Sequence, residues 1–188
     1  MAIYWQNSGK NSFMKIISAA SRAIKKEKKT DLRLFSLRAV YLREGKEWIS
    51  DNFDPVLPGQ SLFGQFRIAG HNIDVQKGVV NDSDAKPIHS CKITSSFEFR
   101  YLDAPPNEEG GADENDKHLV AEISARFTVD YLIETPEIPP QEMLEKWATT
   151  DSLLSCWPYW REFCHATLLR MNLPITLMPM MEVNQSKD

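Results

Sequence analysis

The stretch WPYWREFCHATLLRMN (157–172), continued by LPITLMPMMEV (173–183), decides the fold. Its first part has the period of an amphipathic helix, because apolar residues recur three or four positions apart along it. Pro158 lacks a backbone N–H, which restricts it to the first turn of a helix or to a kink. Asn172 suits the left-handed position that ends a helix, and Pro174 prevents its continuation. The sequence therefore predicts a C-terminal helix followed by an apolar, proline-containing tail.

This stretch resembles the SecB export-chaperone family, in which an aromatic-Pro-Tyr-x-Arg-Glu run precedes a proline-rich segment. The residues that match this pattern are Trp157, Pro158, Tyr159, Arg161, Glu162, Pro174 and Pro179. Trp160 departs from the pattern, since a small residue is usual there, and the two prolines after the helix are one residue closer together. The last residues, NQSKD, differ from the family's cysteine- and histidine-bearing tail, which binds zinc and docks on the translocase motor. We therefore expect no zinc site.

Upstream of this stretch the hydrophobic period is two, which is typical of β-strands. We predict four strands: one after Asp31, then Ser61 to about Val80, Pro87 to Leu102, and 118–134. The last strand alternates apolar and polar residues throughout, so one of its faces is buried and the other is mostly solvated. Four antiparallel strands followed by helices indicate an α+β fold in which the helices cover one face of the sheet.

Glycines at positions 64, 70 and 78 favour bulges or breaks in the second strand. The preceding segment EGKEWISDNFDPVLPGQ (44–60) contains turn signals and is predicted to be a loop. Trp48 and Phe53 lie in it, and they either fill an edge of the core or form the wall of a binding groove. Residues 103–117 are acidic and rich in glycine and proline, and we predict a long mobile hairpin loop there.

The composition fits one domain of 188 residues with an ample core. The three cysteines, Cys91, Cys156 and Cys164, lack CxxC spacing, and this favours reduced structural thiols. No apolar run approaches the ~20 residues that span a bilayer, and the N-terminus lacks the pattern of a signal peptide. These features predict a cytoplasmic protein that does not bind membranes.

The charge is unevenly distributed along the chain. Residues 1–29 have a net charge of +6 and the remainder has −10, which gives −4 for the whole chain. Residues 13–29 have a helical period with lysines near the end, where they complement the helix dipole. This basic helix is either a solvated arm that also contacts its own acidic body, or a contact for nucleic acid or membrane. We favour the former and predict no nucleic-acid partner.

Nothing in the sequence supports catalysis or metal binding. His71, His89, His118 and His165 are scattered, and we expect neither His89 with Cys91 nor Cys164 with His165 to give one metal two ligands. The nucleophile-elbow, P-loop, dinucleotide-binding and zinc-protease motifs are missing. The acidic loop lacks the spacing of a calcium site. We therefore predict no enzyme activity and no cofactor.

The domain prediction is a basic helical extension (1–30), a SecB-like domain (31–183) and a disordered tail (184–188). The resemblance implies an ATP-independent chaperone that holds unfolded or nascent polypeptides in apolar grooves, and a homo-oligomer, either a dimer or a tetramer. Roles in protein export and in toxin–antitoxin control both stay open. The alternative is a dedicated protein-interaction module of the same fold that binds one partner.

Apolar grooves bind varied clients through non-directional burial, to which methionines are suited. For the aromatic residues at helical spacing, the alternative is a place in the core. The residues predicted to bind the polypeptide are Trp48, Phe53, Phe97, Phe99, Tyr101, Trp157, Tyr159, Trp160, Met178 and Met180.

Overall fold

A computed structural model describes residues 2–5, 34–57, 59–78, 88–106, 115–133, 135 and 137–178. The predicted basic helix at 13–29, most of the acidic loop, Met180 and the predicted disordered tail lie outside these residues.

The predicted α+β fold is confirmed, because four long antiparallel strands form a sheet and the C-terminal helices pack on one of its faces. A short N-terminal strand, which the sequence pattern did not predict, makes the sheet five-stranded. The strand order is β1-β3-β4-β5-β2. The strands are β1 (Ala2–Trp5), β2 (Phe35–Ile49), β3 (Phe63–Gln76), β4 (His89–Leu102) and β5 (Leu119–Ile133).

Strands β4 and β5 form the centre of the sheet, and their alternating sequences explain their place. Every second residue of β4 from Cys91 to Tyr101 is buried on the helix-facing side. The paired residues of β5, from Tyr131 to Ala121, are buried on the same side. Since side chains alternate between the two faces of a strand, each of these strands supplies an apolar face to the helices and a polar face to the opposite side.

Strand β2 is longer than predicted and continues through Trp48 to Ile49, which pairs with Ala121. The prediction that Trp48 lies in a loop is therefore wrong. Two register shifts, between Leu37 and Ala39 and between Leu42 and Glu44, explain the error. Each bulge inserts an extra residue, which interrupts the period of two while pairing continues beyond it.

Strand β3 has one bulge, between Ile68 and Gly70, where Gly70 has a φ of 145°. A left-handed backbone of this kind suits glycine, which has no Cβ. The predicted irregularity at Gly64 is wrong, because Gly64 pairs regularly with Tyr101.

The two helices are α1 (Gln141–Thr149) and α2 (Asp151–Arg170). Helix α2 begins six residues before Trp157, so Pro158 lies inside it and not in its first turn. The predicted cap is confirmed, because Asn172 has a φ of 55°. Its N–H donates to the Leu169 carbonyl, and the next N–H donates to the Leu168 carbonyl, as in a Schellman motif.

The core lies between α2 and the sheet. The indole of Trp160 stacks on Phe97 with ring centroids 5.5 Å apart, and Trp157 meets Phe66 edge-on at 5.0 Å. On the other side of the helix, the ring of Phe163 lies so close to Gly45 of β2 that a Cβ there would be 2.6 Å from it. The helix therefore approaches the β2 backbone directly.

Candidate functional site

One end of the sheet is crossed by the chain. Strand β2 ends at Ile49, at one edge, and β3 begins at Phe63 near the opposite edge. The intervening residues 50–62, which we call the crossover segment, must pass the ends of β5 and β4. The segment is anchored at its start by a hydrogen bond of 2.8 Å from the Ser50 N–H to the Val120 carbonyl.

A local turn in the crossover segment exposes two apolar side chains. The Val56 N–H donates to the Asp54 carboxylate at 2.9 Å, and the Leu57 N–H donates to the Asp54 carbonyl at 3.2 Å. An aspartate that binds the backbone two residues on forms an Asx-turn, and this fixes the chain locally. Val56 and Leu57 are 74% and 60% exposed, although the turn that presents them is hydrogen-bonded.

The tail after α2 is fixed to the same end of the sheet. The Tyr101 hydroxyl donates to the Pro174 carbonyl at 2.7 Å and also contacts the Thr176 hydroxyl. His165 Nε2 donates to the Thr176 carbonyl at 3.0 Å. We call residues 173–178 the proline tail; Leu173 and Met178 at its ends are buried. Between these anchors, Ile175 and Leu177 project into solvent.

Large exposed apolar side chains are concentrated at this end. Ile49 pairs with Ala121 and Ala121 with Tyr101, so the end of β2, the crossover segment and the proline tail share one end of the sheet. Such concentrations on a protein surface mark binding sites more often than scattered apolar residues do. We call this the end surface, and its members are Val56, Leu57, Leu169, Ile175 and Leu177.

A second exposed apolar strip lies along the edge strand β2. Leu37 and Leu42 pair with the helix-facing residues Tyr131 and Phe127, yet they are 57% and 45% exposed. Helix α2 covers the centre of the sheet and leaves these positions open. Tyr159, which is also exposed, lies one turn before Phe163 on the side of α2 that approaches β2. We call Leu37, Leu42 and Tyr159 the β2 strip.

The predicted binding residues divide into a buried and an accessible group. Trp48 and Tyr159 are each 49% exposed, Phe53 is half-buried, and Met180 lies outside the described residues. The others fill the space between α2, the proline tail and the sheet. In the protomer they are buried and do not line the open groove that the sequence predicted. The buried residues are Phe97, Phe99, Tyr101, Trp157, Trp160 and Met178.

Sequence reasoning missed most of the accessible residues. Val56 and Leu57 stand in DPVLPG, and Ile175 and Leu177 stand in LPITLMP. In both runs apolar residues follow a proline inside a segment with no strand or helix period. Prolines restrict such segments to extended or turn conformations that cannot turn every side chain inward. This signal was present in the sequence.

The face of the sheet opposite the helices is mainly polar, although the exposed Trp48, which pairs with Glu122, lies on it. Buried Asp130 accepts hydrogen bonds from Arg38 at 2.8 Å and from Ser90 at 3.2 Å. Arg100 forms ion pairs with Glu122 and Asp116. A shallow cavity of about 200 Å³ on this face is lined mainly by charged and small side chains. Lys46 and Arg126 beside the Glu44 carboxylate lower its pKa.

The described residues offer little for catalysis. They contain no group of three or more potential metal ligands. Burial raises the pKa of the thiols, to about 11 for Cys91 and about 12 for Cys156, so neither is ionised at neutral pH. Within the same part of the chain, no helix has the length and apolar character needed to cross a membrane.

Comparison with known proteins finds neither a protein-family model nor a curated protein that matches this sequence. Among solved structures, the fold matches the Mycobacterium tuberculosis SecB-like chaperone Rv1957, solved in complex with a ChAD peptide from the Rv1956 HigA1 antitoxin. The match has a TM-score of 0.51 and 17% identity, and it covers 81% of this chain and 94% of that chain. At this identity the likeness establishes a SecB-like fold, which the resemblance in the C-terminal stretch predicted.

Proposed function

We propose that this protein is an ATP-independent chaperone that holds extended, unfolded polypeptides on the end surface. The observation that supports the proposal most directly is the exposure of Val56, Leu57 and Leu177, on segments whose backbones are fixed by hydrogen bonds. A fixed backbone presents apolar side chains without the entropic cost of ordering a loop on binding. The SecB-like fold, and the peptide bound by the neighbouring structure, are consistent with this role.

The chemistry of the end surface suits varied clients. Val56, Leu57, Ile175 and Leu177 are aliphatic, and burial of each from water contributes roughly 1.5–3 kcal/mol. Such burial is non-directional, so it selects apolar character and not one particular sequence. Export and toxin–antitoxin control are both roles in which a protein of this kind would hold a client.

We further propose that the protein is a homo-oligomer, a dimer or a tetramer, which assembles along β2. This strand is 15 residues long, and on its outer side no strand pairs with it among the described residues. An edge of that length with apolar neighbours favours pairing with another chain. The solution mass measures this directly, and Leu42→Lys is expected to shift it toward the monomer.

The experiment for the chaperone role is the suppression of aggregation of a chemically unfolded client. Wild-type protein at equimolar ratio is expected to suppress light scattering by two unrelated clients. The triple variant V56S/L57S/L177S removes apolar surface that is already exposed, so its fold is expected to persist, while its affinity for the clients falls at least about tenfold. The matched control is Ile88→Ser, which removes an exposed apolar side chain at the opposite end of the sheet.

The alternative is a dedicated interaction module that binds one partner. It predicts no suppression with either unrelated client, together with stoichiometric capture of a single protein. No suppression at any ratio, with the fold intact by circular dichroism, would contradict the chaperone proposal.

A further inference from the structure

The short strand β1 shows what the outer edge of β3 accepts. Ala2, Ile3, Tyr4 and Trp5 pair antiparallel with the residues from Arg67 to Gly64. The four residues of β1 are all apolar by sequence. Among the described residues β1 is the outermost strand of the sheet, and β3 is the one strand that pairs with it. A four-residue strand with one partner is at the weak end of strand pairing.

Most of the β3 edge lies beyond β1. Strand β3 contains 14 residues, and its pairing with β1 stops at Arg67, just before the bulge between Ile68 and Gly70. From Ile68 to Gln76, no strand of the described residues pairs with β3 on its outer side. Strand edges leave backbone N–H and C=O groups open to another extended chain.

The side chains along this edge indicate the chemistry of the chain that would pair with it. On the helix-facing side lie Phe66, Ile68, Ile73 and Val75, which pair with buried residues of β4 and are themselves buried or half-buried. His71 interrupts this row and bonds to Glu145 of α1 at 2.7 Å. A strand added next to them would place every second side chain against this apolar row. The other face carries Arg67 and Asp74, which favour polar side chains at the intervening positions.

We propose that the outer edge of β3 is a strand-addition site for an apolar, extended segment of the client, and that β1 occupies part of it in the free protein. This inference rests on the proposed function and adds a second mode of binding to it. Main-chain hydrogen bonds supply affinity that does not depend on sequence, and the apolar row selects apolar residues at alternate positions. Both properties suit an unfolded polypeptide.

In this arrangement β1 competes with the client. A client segment of more than four residues pairs with the positions of β1 and continues toward Gln76, so it gains contacts that the four residues of β1 do not make. Because β1 must leave the edge before the client pairs there, the apparent affinity for the client is the intrinsic affinity multiplied by the fraction of protein in which the edge is free. Loss of β1 pairing is therefore expected to tighten client binding, and a fixed β1 is expected to weaken it.

The test uses the full chain with Tyr4→Cys and Gln65→Cys, since these positions are direct partners across β1 and β3. The three native cysteines are buried, so oxidation under native conditions is directed to the new pair. The probe is reduced, carboxymethylated α-lactalbumin, and its Kd is measured before and after reduction of the disulfide. A second variant, I3P/Y4P, removes the backbone N–H groups that β1 could donate at these positions.

The oxidised protein is expected to bind the probe at least about tenfold more weakly than the same protein after reduction, whereas I3P/Y4P is expected to bind it more tightly than wild type. Amide hydrogen exchange in residues 68–76 is expected to slow when the probe binds to the reduced protein. Equal Kd values for the oxidised, reduced and proline variants would overturn the strand-addition site. A disulfide that joins two chains would also overturn it, because β1 would then pair with a second copy. Failure of wild type to bind the probe at all would instead contradict the proposed function.

Discussion

The hydroxyl of Tyr101, near the end of central strand β4, donates a hydrogen bond of 2.7 Å to the carbonyl of Pro174 in the proline tail. The tyrosine side chain is buried, and this burial raises its pKa, so the hydroxyl keeps its proton. Through this bond the sheet fixes the segment that exposes Ile175 and Leu177. The structural core thus positions the end surface.

Tyr101→Phe is expected to lower the free energy of unfolding by about 1–2 kcal/mol, because the Pro174 carbonyl loses its buried donor. The same variant is expected to weaken client binding, since Ile175 and Leu177 are no longer held in place. Urea denaturation and a client Kd measure the two effects. The matched control is Tyr159→Phe, whose side chain is half exposed and which should change stability by less than about 0.5 kcal/mol. Equal effects of the two substitutions would contradict the role of the Tyr101 bond.

Gly45→Ala is expected to destabilise the protein by about 1–3 kcal/mol, because a methyl group there meets the Phe163 ring at 2.6 Å. The helix or the ring must move to accommodate it. Phe163→Leu in the same chain is expected to recover part of the loss, and a double-mutant cycle by urea denaturation measures the coupling. Strict additivity of the two substitutions would show that Gly45 does not set the distance between α2 and β2.

Arg38→Ala is expected to cost about 2 kcal/mol, because it leaves the carboxylate of Asp130 buried without its cation. Asp130→Asn is expected to cost less, since it removes the buried charge and keeps the shape of the side chain. Thermal denaturation of both variants tests this asymmetry. As a control, Lys46→Ala breaks an exposed ion pair with Glu44 and should change stability by less than about 0.5 kcal/mol. A larger loss of stability in Asp130→Asn than in Arg38→Ala would show that the buried charge does not depend on Arg38.

Stability is expected to fall in alkali because of the buried thiols. The pKa of Cys91 is raised from 9.0 to about 11 and that of Cys156 to about 12, while burial raises the pKa of Cys164 further. Below pH 9.0 the thiols are protonated in both the folded and the unfolded chain, so their contribution is constant. Above it the unfolded chain loses protons that the folded chain retains, which favours unfolding.

Each thiol is therefore expected to lower the free energy of unfolding by about 1.4 kcal/mol per pH unit between its unfolded and folded pKa values. Urea denaturation at pH 8, 9, 10 and 10.5 measures the slope. Cys156→Ala should reduce the slope of the free energy of unfolding against pH by the contribution of one thiol. This holds whatever the substitution does to stability at pH 8. If the slope in this variant equals that of wild type, ionisation of the buried Cys156 thiol does not cause the loss of stability in alkali.

The sequence predicted the central architecture because β4, β5 and α2 have long, regular periods. The alternation from Cys91 to Tyr101 and the helical stripe around Trp160 each extend over several repeats, and both stripes are buried as their periods indicate. Strand β1 was missed because four residues are too few to establish a period. Pro158 was predicted to lie in a first turn or at a kink, and it lies inside α2, where the flanking residues pack against the sheet.

The binding surface was harder to predict than the fold. A period indicates which residues share a face, but it does not indicate whether the protein or a partner covers that face. Trp157 and Trp160 are apolar in the same way as Trp48, yet α2 directs the first two into the core while the end of β2 leaves Trp48 half exposed. Val56 is exposed because the crossover segment passes the end of the sheet, and Leu177 is exposed because the Tyr101 hydrogen bond fixes the proline tail. Both are tertiary features.

Site-specific photo-cross-linking to an unfolded client tests the end surface most directly. Benzoylphenylalanine is introduced in place of Leu57 and Leu177 on the end surface, and in place of Lys92 on the polar face as the comparison. Illumination with an unfolded client is expected to give strong cross-links from positions 57 and 177 and little from position 92. Equal cross-linking from all three positions, or cross-linking from position 92 alone, would contradict the claim that this end of the sheet binds the polypeptide.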